Sequence, residues 1–182
     1  MSVFLFGSGG SSDMKLIFST KLTSSANTIS TGTLATGYRG LVIDVVARCD
    51  SASSVSAYSL KVAFNGDNNV SNYRSSRALW RNNVAGSAFD NPIIGCVTDS
   101  SNSNQYATNR IVILNHEETN NYKGLQTIAQ CIGTQGTLSQ YTGAANVAIW
   151  ENTDAITSIE FRVEENNFNF VAGSSVAVYG LK

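Results

Sequence analysis

Residues 155–182 read AITSIEFRVEENNFNFVAGSSVAVYGLK, and the fold is decided in this stretch. Ile159, Phe161 and Val163 alternate with Ser158, Glu160, Arg162 and Glu164. Period-two alternation is the mark of a strand with one face on a core and the other in water. A polar turn at Glu165, Asn166 and Asn167 follows, then Phe168 and Phe170. In the closing strand Val176 and Val178 share one face, while Ala177, Tyr179 and Leu181 share the other, which predicts burial on both sides. A chain whose last residues sit inside its own sheet forms a compact domain, not a fraying tail. These residues predict an all-β domain and name no activity.

The rest of the chain carries the same period outward. Gly40–Cys49 is the clearest inner strand, with Leu41, Ile43, Val45, Ala47 and Cys49 facing one way. Asp44 and Arg48 share the opposite face with Val42 and Val46, so that face is expected to be partly covered. Tyr58–Asp67 points Leu60, Val62 and Phe64 inward and breaks at Asn65-Gly66, a strong turn signal. Lys15–Leu22 reads as a strand with Leu16, Phe18 and Leu22 on one face; Thr23–Arg39 reads as a loop holding at most one short strand. A turn of helix is expected around Ala78-Leu79-Trp80. Strands follow at Ile93–Thr98 after Pro92, at Asn109–Glu118 (apolar on both faces at its centre), at Tyr122–Ile132 and at Val147–Glu151. Residues 99–104 and Gly133–Gly143 read as loops. The sum is eight or nine strands with no βαβ alternation, which predicts an antiparallel β-sandwich of jelly-roll type over residues 14–182. Residues 1–13 separate as an apolar hexapeptide on a Gly/Ser link, an arm that offers Val3, Phe4 and Phe6 as anchoring side chains.

Composition excludes several functions. With 182 residues the chain is long enough for a sizeable core. A formal charge of −1 and a charged fraction of 14% argue against electrostatic capture of nucleic acid or of an anionic membrane. No apolar run approaches the ~20 residues that span a bilayer, and Met1-Ser-Val-Phe-Leu-Phe lacks the basic start of a signal peptide. Cys49, Cys96 and Cys131 are odd in number and each lies in an apolar run, so they read as buried thiols, as expected of a chain folded in a reducing cytoplasm. His116 is the single histidine, and no Gly-x-Ser-x-Gly elbow surrounds a serine, so a nucleophilic triad has little to be built from. His116 reads instead as an exposed hairpin-end residue. Glu117, Glu118, Glu160, Glu164 and Glu165 are the carboxylates from which a glycosidase pair would be drawn, but an outward strand face explains Glu160 and Glu164. Asp67 with Asn65, Asn68 and Asn69 makes an oxygen-rich loop that lacks the spacing of a committed calcium site. Neither catalytic residues, nor a metal site, nor a cofactor is expected. Tyr38, Tyr58, Tyr73, Trp80, Tyr106, Tyr122 and Tyr141 lie in or beside polar segments; Tyr73, Trp80, Tyr106 and Tyr141 are the candidates for a subunit contact or a sugar platform.

Three segments carry a resemblance. The ending, Trp150 followed by AITSIEF and NFVAGSSVAVYGLK, is similar to the C-terminus of a class of tailed-bacteriophage virion proteins: jelly-roll domains of head fibres, capsid decoration (cement) proteins and tail appendages. FNGDNNVSNYRSSRAL, Phe64 to Leu79, resembles the Phe-Asn-Gly-Asp…Asn-Tyr segment of the same domains. NHEETNNYK, Asn115 to Lys123, is similar to a hairpin of that class, with His116 where an aromatic is usual. The resemblance covers Leu41 to Lys182. It implies a non-enzymatic capsid decoration or head-fibre subunit, trimeric, bound to the major capsid protein or another virion protein. Such a chain assembles in the host cytoplasm and resides in the virion. A tail appendage that binds a host-surface glycan is the alternative it leaves open.

Overall fold

The computed structural model describes residues 13–51, 58–81, 84–88, 93–98, 105–135, 138–163 and 168–182. Twelve strands are found among them: β1 (Met14–Lys21), β2 (Thr28–Ser30), β3 (Gly40–Ala47), β4 (Tyr58–Phe64), β5 (Tyr73–Arg81), β6 (Val84–Ala88), β7 (Ile93–Val97), β8 (Ala107–Leu114), β9 (Lys123–Gln135), β10 (Leu138–Trp150), β11 (Ile159–Val163) and β12 (Ser175–Leu181). They form two antiparallel sheets. The larger is ordered β1-β12-β3-β8-β9-β10-β5-β6 and the smaller β2-β11-β4-β7. The expected all-β antiparallel sandwich is present, with more strands than the eight or nine expected.

The closing stretch behaves as its alternation dictates. Ile159, Phe161 and Val163 are buried while Glu160 and Arg162 are half-exposed. Val176 and Val178 are buried in β12, and Ala177, Tyr179 and Leu181 are half-buried. β12 lies between β1 and β3, in the interior of the larger sheet. β3 supplies Leu41, Ile43, Val45 and Ala47 to the interior, and β4 supplies Leu60, Val62 and Phe64. These meet Ile111 and Ile113 of β8, Phe161, Phe170 and Trp150 in one core. Cys49, Cys96 and Cys131 are buried thiols, as expected.

Four expectations are corrected. The helical turn at Ala78–Trp80 is strand β5: Ala78 pairs with Ala145 of β10 and Ser87 of β6. A helix there would leave the backbone donors and acceptors of β10 without partners, so the sheet overrides local preference. The loop expected at Gly133–Gly143 is mostly ladder, because the β9–β10 hairpin stays in register from Trp150–Lys123 to Leu138–Gln135. In β1, a register shift between Leu16 and Phe18 breaks the alternation, so Leu16 faces solvent while Ile17 and Phe18 pack on the core. Finally, His116 is not exposed but 1% accessible. Asn115 turns the chain with a φ of 55°, and the Ile156 N–H donates to the His116 carbonyl, which seals the ring beneath the segment leading into β11.

Candidate functional site

The sequence pattern sets which side chains leave the sandwich through the outer face of the large sheet. Residues of alternate parity on β8, β9 and β10 point away from the small sheet. On β8 these are Arg110, Val112 and Leu114; on β9, Gly124, Gln126 and Ile128; on β10, Val147 and Ile149. The ladder aligns Gln126 with both Val112 and Val147, and Gly124 with Ile149. At three places on β9 and β10 a larger hydrophobe is outside and a smaller or polar residue inside. Ile128 is out beside buried Thr127, Val147 is out beside buried Asn146, and Ile149 is out beside buried Ala148.

Leu114, Tyr122, Ile128, Val147 and Ile149 remain between 45% and 75% accessible. Together they leave roughly 500 Å² open, taking about 150–200 Å² for each whole side chain, which is the size of the largest apolar patch on a typical monomer, about 300–600 Å² and often functional. Leu114, Tyr122, Val147 and Ile149 line one groove of about 440 Å³. Gly124 forms its floor, and a Cβ added there meets nothing within 4 Å. Ile128 lies in the adjoining groove with Val46 and Arg110, whose guanidinium makes a two-pronged pair with Asp44 at 2.7 and 2.8 Å.

No protein-family model matches the chain, and a search of curated proteins finds no similar sequence.

The aromatic candidates are scattered. Tyr73, expected at the surface, is buried: its hydroxyl accepts the Phe64 N–H at 3.0 Å and donates to the Asp67 carbonyl at 2.9 Å. Its ring stacks 6.5 Å from Trp150, and burial pushes its phenol up to about 12. A sugar-stacking role for Tyr73 is therefore withdrawn. Tyr106 is a strut: its hydroxyl donates to the Ala172 carbonyl at 2.9 Å, with the Arg48 guanidinium 5.1 Å from its ring centroid. Trp80 and Tyr141 are placed by their backbone on β5 and β10, paired with Gly143 and Ile132 respectively. Val3, Phe4 and Phe6, with Glu164 and Glu165, lie outside the described residues.

The polar candidates serve the fold. Asp67 accepts Trp150 Nε1–H and Asn72 Nδ2–H on one carboxylate oxygen, both at 2.8 Å, and the Asn69 N–H on the other at 3.0 Å. Burial alone would raise its pKa, but those three donors outweigh it and hold the carboxyl below its ordinary value. Both Asp67 carboxylate oxygens accept from N–H groups. Glu117 Oε1 accepts the N–H groups of Gly37 and Tyr38 at 2.7 and 3.0 Å and lies 3.5 Å from His116 Nε2. Glu160 pairs with Arg162 on its own strand. Burial holds His116 below its ordinary pKa against the pull of Glu117, and the charge on Lys123 lowers it further. Lys123 is itself buried and donates to the Asn121 and Thr153 carbonyls.

Sequence reasoning did not single out Leu114, Ile128, Val147 or Ile149. The signal was present as apolar residues at both parities of β8 and β10, a pattern that a strand wet on one side does not need.

Proposed function

We propose that this chain is a virion structural protein of a tailed bacteriophage, a capsid decoration or head-fibre subunit of jelly-roll type that acts by binding and not by catalysis. The observation that carries the assembly part of this reading is the outer face of β8–β10, where Ile128, Val147 and Ile149 face water while Thr127, Asn146 and Ala148 face the core. The three segments similar to phage virion domains supply the biological setting, with trimerisation as its implication.

The occupant we assign to this face is another copy of the same chain. Burying roughly 500 Å² of it gains about 12 kcal/mol gross. Association costs about 4–15 kcal/mol, so the face needs its polar margin and a second flank, as a closed ring of copies provides. A formal charge of −1 leaves little repulsion between copies. The capsid then gains stability by mass action, since only the assembled shell binds the oligomer.

Light scattering of the purified protein after gel filtration tests the face. The wild type is expected as a trimer, and Ile128→Asp combined with Val147→Asp as a folded monomer. Gly124→Phe, which fills the groove without touching the interior, is expected to weaken the trimer. A monomeric wild type would refute the assignment. Immunogold labelling of phage particles tests the setting: gold over the head supports decoration, and gold confined to the tail supports the glycan-binding appendage instead.

A further inference from the structure

Cys96 and Cys131 stand on opposite layers of the sandwich, Cys96 on β7 of the small sheet and Cys131 on β9 of the large one. Both are thiols and at most 5% accessible. They touch within a satellite cluster whose other members are Ala107, Ala129 and Ala144, apart from the main core. The hydrophobic neighbours of the two sulfurs in that cluster are alanines. Cys49 belongs instead to the main core, among large hydrophobes. The neighbouring Cys131 thiol, followed by burial, pushes the Cys96 thiol up. The Arg77 guanidinium acts in the opposite direction and favours the Cys96 thiolate.

We propose that Cys96 and Cys131 form a latent staple between the sheets, a site of reversible oxidation by peroxide. The Cys96 thiolate attacks one oxygen of hydrogen peroxide, which breaks the O–O bond, gives the sulfenic acid and releases water once the leaving hydroxide takes up the thiol proton. Cys131 then attacks the sulfenyl sulfur, the S–O bond breaks, and a second water leaves with the Cys131 proton. Two thiols lose two electrons to the peroxide, and one disulfide forms. Because the folded pair is held as thiols, the reaction proceeds from transient openings of the sheet edge and is slow in the closed sandwich. The bond closes the chain from residue 96 to residue 131 and ties β7 to β9. By the loop-entropy argument it raises the thermal midpoint by about 10 °C. This inference is independent of the virion reading, since it needs only the geometry of one chain.

The test is mass spectrometry of the purified protein after hydrogen peroxide treatment, with thiol titration in denaturant. Titratable thiols are expected to fall from three to one, with the intact mass lower by two hydrogens. The non-reducing peptide map should join Cys96 to Cys131, and reductant should restore the original midpoint. Cys49→Ala is expected to leave the crosslink intact. Retention of all three thiols, a disulfide to Cys49, a bond between chains, or addition of oxygen without crosslinking would each overturn the proposal. The wild-type map alone decides the matter if Cys131→Ala fails to fold.

Discussion

Asp67→Ala is the sharpest probe of how the resembling segments are held together. The carboxylate joins the turn after β4 to the end of β10, because it accepts Trp150 Nε1–H at 2.8 Å while Asn72 and Asn69 donate to it from its own turn. Trp150 is 1% accessible, so without Asp67 its N–H is a buried donor with no acceptor, at a cost of about 1–3 kcal/mol. Of the two bonds within the turn, that from Asn69 is exposed and that from Asn72 half-buried, and together they add about 1 kcal/mol. The expected loss is about 2–4 kcal/mol, a fall of roughly 5–12 °C in the thermal midpoint for a chain of this size. Asp67→Asn keeps one acceptor and is expected to lose about half as much. The discriminating measurement is a double-mutant cycle with Trp150→Phe, followed by circular dichroism during urea unfolding. Phenylalanine removes the donor, so Asp67→Ala should cost about 1–2 kcal/mol less in that background. Additivity within about 0.5 kcal/mol would show that the bond does not hold this corner and would refute the reasoning.

Two further outcomes follow from the interior. His116 binds its proton less readily folded than unfolded, so acidification below its ordinary 6.5 favours the unfolded chain, and stability should fall as pH drops through that value. Urea midpoints between pH 7.5 and 5 should show this slope, and His116→Gln should flatten it. An unchanged slope would assign it to other groups. Gly95→Ala sets a Cβ 2.2 Å from Asn109 Oδ1, the atom that accepts the Cys96 N–H at 2.8 Å. Asn109 must move and lose its bonds to both Cys96 backbone groups, for an expected loss of about 3 kcal/mol by thermal unfolding. A loss below about 1 kcal/mol would mean that the inter-sheet space relaxes more freely than its packing indicates.

The sequence was most legible where one strand face is apolar and the other is not. Ile159, Phe161 and Val163, or Leu41, Ile43 and Val45, have only one arrangement that removes them from water, so their burial is written in their spacing. Residues 78–80 and 133–143 were misread for the opposite reason. Their composition is locally ambivalent, and they become strand because a partner lies alongside. The buried ring of His116 and the buried ammonium of Lys123 were equally invisible, since the groups that meet them from far along the chain, the Ile156 N–H at the His116 carbonyl and the Thr153 carbonyl at the Lys123 ammonium, arrive only by folding.

What the sequence by itself determined is the architecture class: period-two alternation, turns at Asn-Gly, sparse charge and three apolar thiols specify an all-β sandwich. The tertiary structure alone decided which surface is left to act. Whether an outward residue is wet, as at Ile128, or covered, as at Val42, depends on what packs above its row. The pairing of Cys96 with Cys131 was decided the same way, because hydrogen-bond ladders and layer packing bring together residues that no local pattern relates.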